Sequence, residues 1–284
     1  MSLVFRLAEI VDHLRTRWQY RGDGPIVAVH QMARVGSRTV RQAIRHDAPG
    51  VRSFHTHYLN PVTLRRMHDV FSRVYERTGR PGLYREHLHA WWLAERIREG
   101  AYSDWRIITL VRDPVARTVS AFFRHLPLHH PELGARFLDD PANVPRLIEL
   151  FRDPDHPEHR FALDWFDDEV RDVFGVDVFD RPFPKDGGGC VYPCEAGQLL
   201  VVRTEDLSTA GGLAIGRFLG IRPMELGHSN RSADLRYAAA YRRFMSELRL
   251  SPTYLGRMYG SKLACHFYDP GEIAAFRARW AVDA

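Results

Sequence analysis

Hydrophobic and polar positions alternate along this chain in two different rhythms. Short β-branched runs, Ile26 to Val29, Ile107 to Val111 and Gln198 to Arg203, read as strands buried on both faces, the pattern of a parallel sheet. Val51 to Tyr58 reads as a further strand, closed by Asn60-Pro61. Between them lie helical periods: Arg38 to His46, Val62 to Thr78, Leu83 to Glu99, the stretch after Asp113-Pro114, Val144 to Phe151, Phe161 to Phe174, and a helix of about ten residues ending at Gly220. Leu3, Leu7, Ile10, Leu14 and Trp18 recur at helical spacing, which predicts an N-terminal amphipathic helix packed on the sheet. Asp269-Pro270-Gly271-Glu272 resembles a capping box opening the last helix, Ile273 to Trp280. Strands alternating with helices predict an α/β fold, a central parallel sheet flanked by helices. No boundary is visible, so residues 1–284 are expected to form one domain, with an insertion at about 124–190 lining a substrate site.

Composition narrows the picture only slightly. The 284 residues, 45% hydrophobic, can bury a sizeable core. The formal charge of +5 suits either an ordinary basic surface or an anion-binding role. Lys185 and Lys262 are the only lysines, so contacts to an anion would come mostly from planar, permanently charged guanidinium groups. The arginines are dispersed, which argues against a nucleic-acid partner. Three cysteines make no disulfide framework, and Cys190-x-x-x-Cys194 lacks a second ligand pair for zinc. The N-terminus carries charges throughout its apolar run and does not read as a signal peptide, and no segment reaches transmembrane length. A cytoplasmic location is the expectation.

Two blocks carry candidate chemistry. In the first, a strand runs into the polar turn Gln31 to Ser37 and then into a helix. This order can present backbone N–H groups to a phosphate, with Gly36 permitting close approach, Ser37 and Thr39 offering hydroxyls, and Arg34 and Arg38 adding charge. A core strand with an ordinary polar turn would read the same. Laid on G-x-x-x-x-G-K-[ST], the turn places Gln31 at the first Gly, Ser37 at the Lys and Arg38 at the magnesium-binding hydroxyl, so it is not an ATPase loop. In the second block, WRIITLVRDPVARTVSAFF, Asp113 suits a helix N-cap and Pro114 the first helical position. Arg112 lies at the strand end; Arg117 and Ser120 share a side of the helix, and an arginine with a serine near a helix start suits phosphate. Alternation puts His55 and His57 on one strand face near its carboxyl end, where open α/β sheets bind ligands. They could be bases, a hydrogen-bonded core histidine, or half of a metal site completed by His87 and His89. The insertion adds His125, His129 and His130.

QMARVGSRT and VRDPVARTVSAFF together resemble the two cofactor blocks of sulfotransferases that use 3′-phosphoadenosine 5′-phosphosulfate (PAPS). LLVVRTEDL and HSNRS resemble later elements of that family, and LDWFDDEV with YGSKLACHFYDPGEIAAFRARW resemble bacterial capsular polysaccharide synthesis proteins. The resemblance implies a P-loop-like three-layer fold. It implies PAPS contacts from Arg34, Val35, Gly36, Ser37, Arg38 and Thr39 to the 5′-phosphosulfate and from Arg112 and Ser120 to the 3′-phosphate. Where the family has lysine this chain has Arg34, which can stabilise charge but not readily give up a proton; the family's threonine has moved from position 38 to Thr39. His55-Thr56-His57 resembles the His-x-His of polysaccharide 2-O-sulfotransferases, which implies His57, or else His55, as base, with Arg34 supporting the leaving phosphate. The implied reaction is metal-free sulfation of a carbohydrate hydroxyl, leaving 3′,5′-bisphosphoadenosine. A small-molecule or lipid hydroxyl as acceptor, or a non-catalytic anion-binding protein, are the alternatives.

Overall fold

The computed structural model describes residues 10–12, 14–15, 18, 26–78, 82–100, 104–134, 136–186, 188–224, 226 and 236–282, without the side chains of 38 and 77–86. Five strands form one sheet: β1 (Ile26–His30), β2 (Arg52–Thr56), β3 (Trp105–Val111), β4 (Cys190–Cys194) and β5 (Gly197–Arg203), in the order β2-β1-β3-β5-β4. The first four in that order run parallel, and β4 is antiparallel to β5. β1 is buried at all five positions and β3 at six of seven, as the unbroken apolar runs require of strands covered on both faces.

The flanking helices include α1 (Ser37–Asp47), α2 (Pro61–Thr78), α3 (Gly82–Arg98), α4 (Pro114–His129), α5 (Val144–Arg152) and α6 (Pro157–Phe166). The later ones are α7 (Gly212–Leu219), α8 (Ala238–Glu247), α9 (Pro252–Tyr259), α10 (Lys262–Phe267) and α11 (Pro270–Trp280). The expected caps form. The Asp113 carboxylate accepts from the N–H groups of Val115 and Ala116, and Asp269 with Glu272 closes a capping box. One apolar core surrounds the sheet. A second gathers Phe122, Phe151, Phe244, Met258 and Trp280 between α4 and the C-terminal helices, so α4 is buried on nearly every side.

β4 is a strand that the sequence pattern does not announce, because CVYPC carries a proline; an antiparallel edge position tolerates one. One expectation is corrected. At the N-terminus, the described apolar positions of the helix do not pack on the sheet: Ile10, Leu14 and Trp18 are 54%, 62% and 68% exposed, while Asp12 is the buried member, 3.9 Å from Arg15. Leu3 and Leu7 lie outside the described residues, as does HSNRS.

After β1 the chain goes to β2 on one side, and β3 then joins on the other, so the order of the strands reverses between β1 and β3. A crevice opens outside the carboxyl ends of such strands. Its floor is fixed by His30, the last residue of β1. Thr56 Oγ1 donates to its Nδ1 (2.8 Å) and its Nε2–H donates to the carbonyl of Glu169 (3.1 Å). Glu169 stands on one π-helical turn, Asp167–Arg171, and its carboxylate accepts from the N–H groups of Leu59 and Asn60. The inserted extra residue of a π turn re-aims a side chain at a place the regular helix would miss.

Candidate functional site

A cleft of about 1760 Å³ opens at the switch point. The turn after β1, the end of β2, the middle and end of α4, and the insertion all line it. It brings together Arg34, Gly36, Ser37, Thr39, Arg112 and Ser120, from both sequence blocks, with His55 and His57. Val35 is fully buried and off the cleft, so its side chain belongs to the core and only its backbone can serve a ligand. The side chain of Arg38 lies outside the described residues.

The turn is held by its carbonyls. Arg117 Nε donates to Ala33 O (3.1 Å), Arg112 donates to Arg34 O (3.0 Å) and Thr204 Oγ1 donates to Val35 O (2.6 Å). In a trans peptide the C=O and the following N–H point in opposite directions. With three successive carbonyls drawn into the body, the N–H groups of Arg34, Val35 and Gly36 are turned the other way. Arg34 and Gly36 take left-handed backbone, φ 75° and 96°. At Gly36, the N-cap of α1, no side chain caps the helix, and the first turn carries no acid. An anion is the natural complement of such an end.

Guanidinium groups crowd the same end. Arg34 Nε donates to Ser120 Oγ at 3.0 Å, which joins the first block directly to the second. Burial, and then the neighbouring charges of Arg112 and Arg124, lower the Arg34 pKa from its ordinary value. Like charges packed this closely favour an anion between them. Arg124, one turn beyond Ser120, was not singled out by sequence because only the helix places it beside Arg34. The surroundings of Arg112 are braced from the C-terminal helices. Tyr259 OH donates to Asp113 (2.9 Å), Tyr268 OH to Glu205 (3.0 Å), and Glu205 accepts from Asp113 N–H.

Arg117 does not join Ser120 in a phosphate site, as the shared helix side suggested. It is 1% exposed and turned inward, against Glu158 (2.8 Å) and over the Phe161 ring (4.7 Å). The loop carbonyl and the acid together outbid the cleft for its donors. Burial pushes the Glu158 pKa up, but Arg117, His125 and His129 outweigh it and hold the carboxyl well below the ordinary range.

In the same cleft, the rings of His55 and His57 meet edge-on at 4.6 Å. His57 Nδ1–H donates to the carbonyl of Gln31 (2.8 Å), so its Nε2 carries the lone pair, and no described residue bonds it. Burial is the main cause of its pKa falling to about 4, with His125, Arg117 and Arg34 adding repulsion. The ring is therefore neutral and able to accept a proton at ordinary pH. His87 and His89 do not complete a site with this pair: His89 meets Phe54 on the other strand face, and His87 packs among His68, Phe71 and Trp91.

Residues 148–269 match a family described as "putative capsular polysaccharide synthesis protein". That stretch holds Glu158, which lines the cleft, Glu169, Tyr259 and Tyr268, which brace its surroundings, and strands β4 and β5, and leaves out the turn, His55, His57 and the Arg112–Ser120 block. No curated protein matches the chain, and no solved structure does. No described helix is long and apolar enough to cross a membrane.

Proposed function

We propose that the protein is a PAPS-dependent O-sulfotransferase of P-loop-like fold acting on a carbohydrate hydroxyl, as in a capsular or exopolysaccharide. The observation that carries this reading is the Arg34–Ser120 hydrogen bond with Arg112 braced on Arg34, in one cleft with a histidine whose Nε2 is open. The match over residues 148–269 supports a polysaccharide-related role.

The cofactor fits what the cleft offers: a turn with its carbonyls tied back, an uncapped helix start, and Arg34, Arg112 and Arg124 close together. When bound, PAPS supplies a sulfuryl group on a phosphate leaving group. The N–H groups of the turn, with Ser37 and Thr39, hold the 5′ end, and Arg112 with Ser120 holds the 3′-phosphate. Arg34 neutralises charge growing on the leaving phosphate. His57 takes the acceptor's hydroxyl proton at Nε2 as the O–S bond forms, while Gln31 O fixes its tautomer. The low pKa of His57 makes it a weak base in the empty cleft. Anionic charge nearby offsets the repulsion from Arg34 and Arg117 and raises its basicity when it is needed.

The test is incubation with labelled PAPS and a panel of bacterial polysaccharides, oligosaccharides and phenols. Label should move to a carbohydrate, and 3′,5′-bisphosphoadenosine should appear only with acceptor present. Tight nucleotide binding without turnover would favour a regulatory anion-binding protein, and no nucleotide binding would reject both.

A further inference from the structure

Among the described residues, one cluster gathers three metal-ligating side chains: His125, His129 and Glu158, whose donor atoms all lie within 4.8 Å of one another. We propose that it binds one divalent transition-metal ion of the zinc class, in a three-ligand site with a fourth position open to the cleft. The site is distinct from the His55–His57 pair and does not depend on the sulfotransferase reading.

The helix supplies the first two ligands. His125 and His129 stand four apart on the last turns of α4 and so project from one side. Glu158 comes from the first turn of α6. Its carboxylate is divided between two tasks: Oε2 lies 2.8 Å from Arg117, and Oε1 faces His125 Nδ1 (2.5 Å) and His129 Nε2 (3.7 Å). A carboxylate held by an outer partner is how proteins orient a metal ligand, and Arg117, ion-paired to Oε2 and hydrogen-bonded to the Glu158 backbone carbonyl, fills that place while leaving Oε1 free to coordinate. Two imidazoles and one carboxylate suit zinc chemistry, and three protein ligands leave a coordination position for water or a ligand oxygen. Binding would replace the His125–Glu158 hydrogen bond, the imidazole proton moving from Nδ1 to Nε2.

A second observation points the same way. His156 is 4% exposed and lines the cleft, its ring 5.2 Å from that of His129. Its Nδ1 accepts from Glu158 N–H (3.3 Å), so in the neutral ring Nε2 carries the proton, and that group has no partner among the described residues. It cannot be a fourth ligand in this tautomer. It is a buried donor awaiting an acceptor, which an oxygen in the open position would provide.

The test uses the full chain stripped of metal with a chelator, titrated with Zn²⁺ against a chromogenic competitor and separately with Co²⁺ by visible absorption. One ion per chain should bind, with cobalt bands of low coordination number and no thiolate charge-transfer band. His129→Ala, whose ring is partly exposed and whose loss spares the Arg117–Glu158 pair, should weaken Zn²⁺ at least as much as the ~10–100-fold seen when a supporting residue is removed. His125→Ala should do the same, and replacing all three cysteines by serine should change nothing. Absence of stoichiometric binding overturns the proposal, as does binding that survives both histidine substitutions or disappears with the cysteines. Glu158 would then be only the partner of Arg117.

Discussion

His30 and His57 stand at the ends of neighbouring strands, and burial holds both imidazoles neutral, yet their surroundings differ in one respect. His30 has both ring nitrogens engaged, by Thr56 and by the Glu169 carbonyl, and is fully enclosed. His57 has one nitrogen tied to Gln31 O and the other open to the cleft. A lowered pKa alone therefore does not distinguish a structural histidine from a chemical one. The unpaired nitrogen does.

The largest test of that contrast is His57→Ala. Turnover should fall by about 10²–10⁴-fold, the usual worth of a general base, with the melting temperature and bisphosphoadenosine affinity nearly unchanged. The wild-type kcat/KM for PAPS, which reports the free enzyme, should hold level down to about pH 5 and fall only as pH drops through about 4, where His57 takes up its proton. An acid limb near 6.5 that vanishes in the variant would mean that the base sits in a more open environment than this one. If His55→Ala is the damaging change, the two roles are exchanged.

His30→Ala should do the reverse. It opens a cavity and strands the Glu169 carbonyl and the Thr56 hydroxyl, at a cost of about 3–5 kcal/mol in denaturant unfolding. Protein that remains folded should keep its turnover; a specific loss of activity at full stability would break the comparison.

At the arginine end, Arg112→Ala should weaken 3′,5′-bisphosphoadenosine by about 1.5–3 kcal/mol, the range for a charged hydrogen bond. Adenosine 5′-phosphosulfate, which lacks the 3′-phosphate, should lose only about 0.5–1.5 kcal/mol, through the slackened Arg34 carbonyl. Calorimetry with both ligands decides it, and equal losses would remove the 3′-phosphate from Arg112.

The last test is a slope, small over any one pH unit. The folded protein holds the His30 pKa at about 3, against 6.5 when unfolded. Between those values the unfolded chain binds a proton that the folded chain refuses, so the contribution of His30 to stability falls as pH falls. The advantage of wild type over His30→Leu should shrink by about 1.4 kcal/mol per pH unit below 6.5. A pH-independent difference would show that His30 is not the neutral, enclosed ring described.

The contrast also marks what the sequence could and could not reveal. Three of the five strands were legible because parallel core strands are uniformly apolar, β2 through its alternation and the Asn60-Pro61 stop, and the caps at Asp113 and Asp269 because capping is local chemistry. β4 escaped because an edge strand needs neither an apolar run nor freedom from proline. The clustering of Arg34, Arg112 and Ser120 could be anticipated from two blocks that each follow a strand. Arg117 could not be assigned, since its partner Glu158 lies 41 positions away. Glu169 and His156 were hidden for the same reason: a π turn and an imidazole N-cap leave no local signature. The exposed apolar stripe at Ile10, Leu14 and Trp18 shows that helical spacing identifies a face but not what covers it.

Arg34 carries a β-carbon in left-handed backbone, a conformation that costs an ordinary residue about 1–2 kcal/mol. Glycine at that position would relieve the strain and delete the guanidinium that reaches Ser120. A laboratory selection run on heat resistance alone would thus be drawn to the substitution that disconnects the two halves of the cleft. Any campaign to harden this protein has to score the Arg34–Ser120 bond alongside the melting curve.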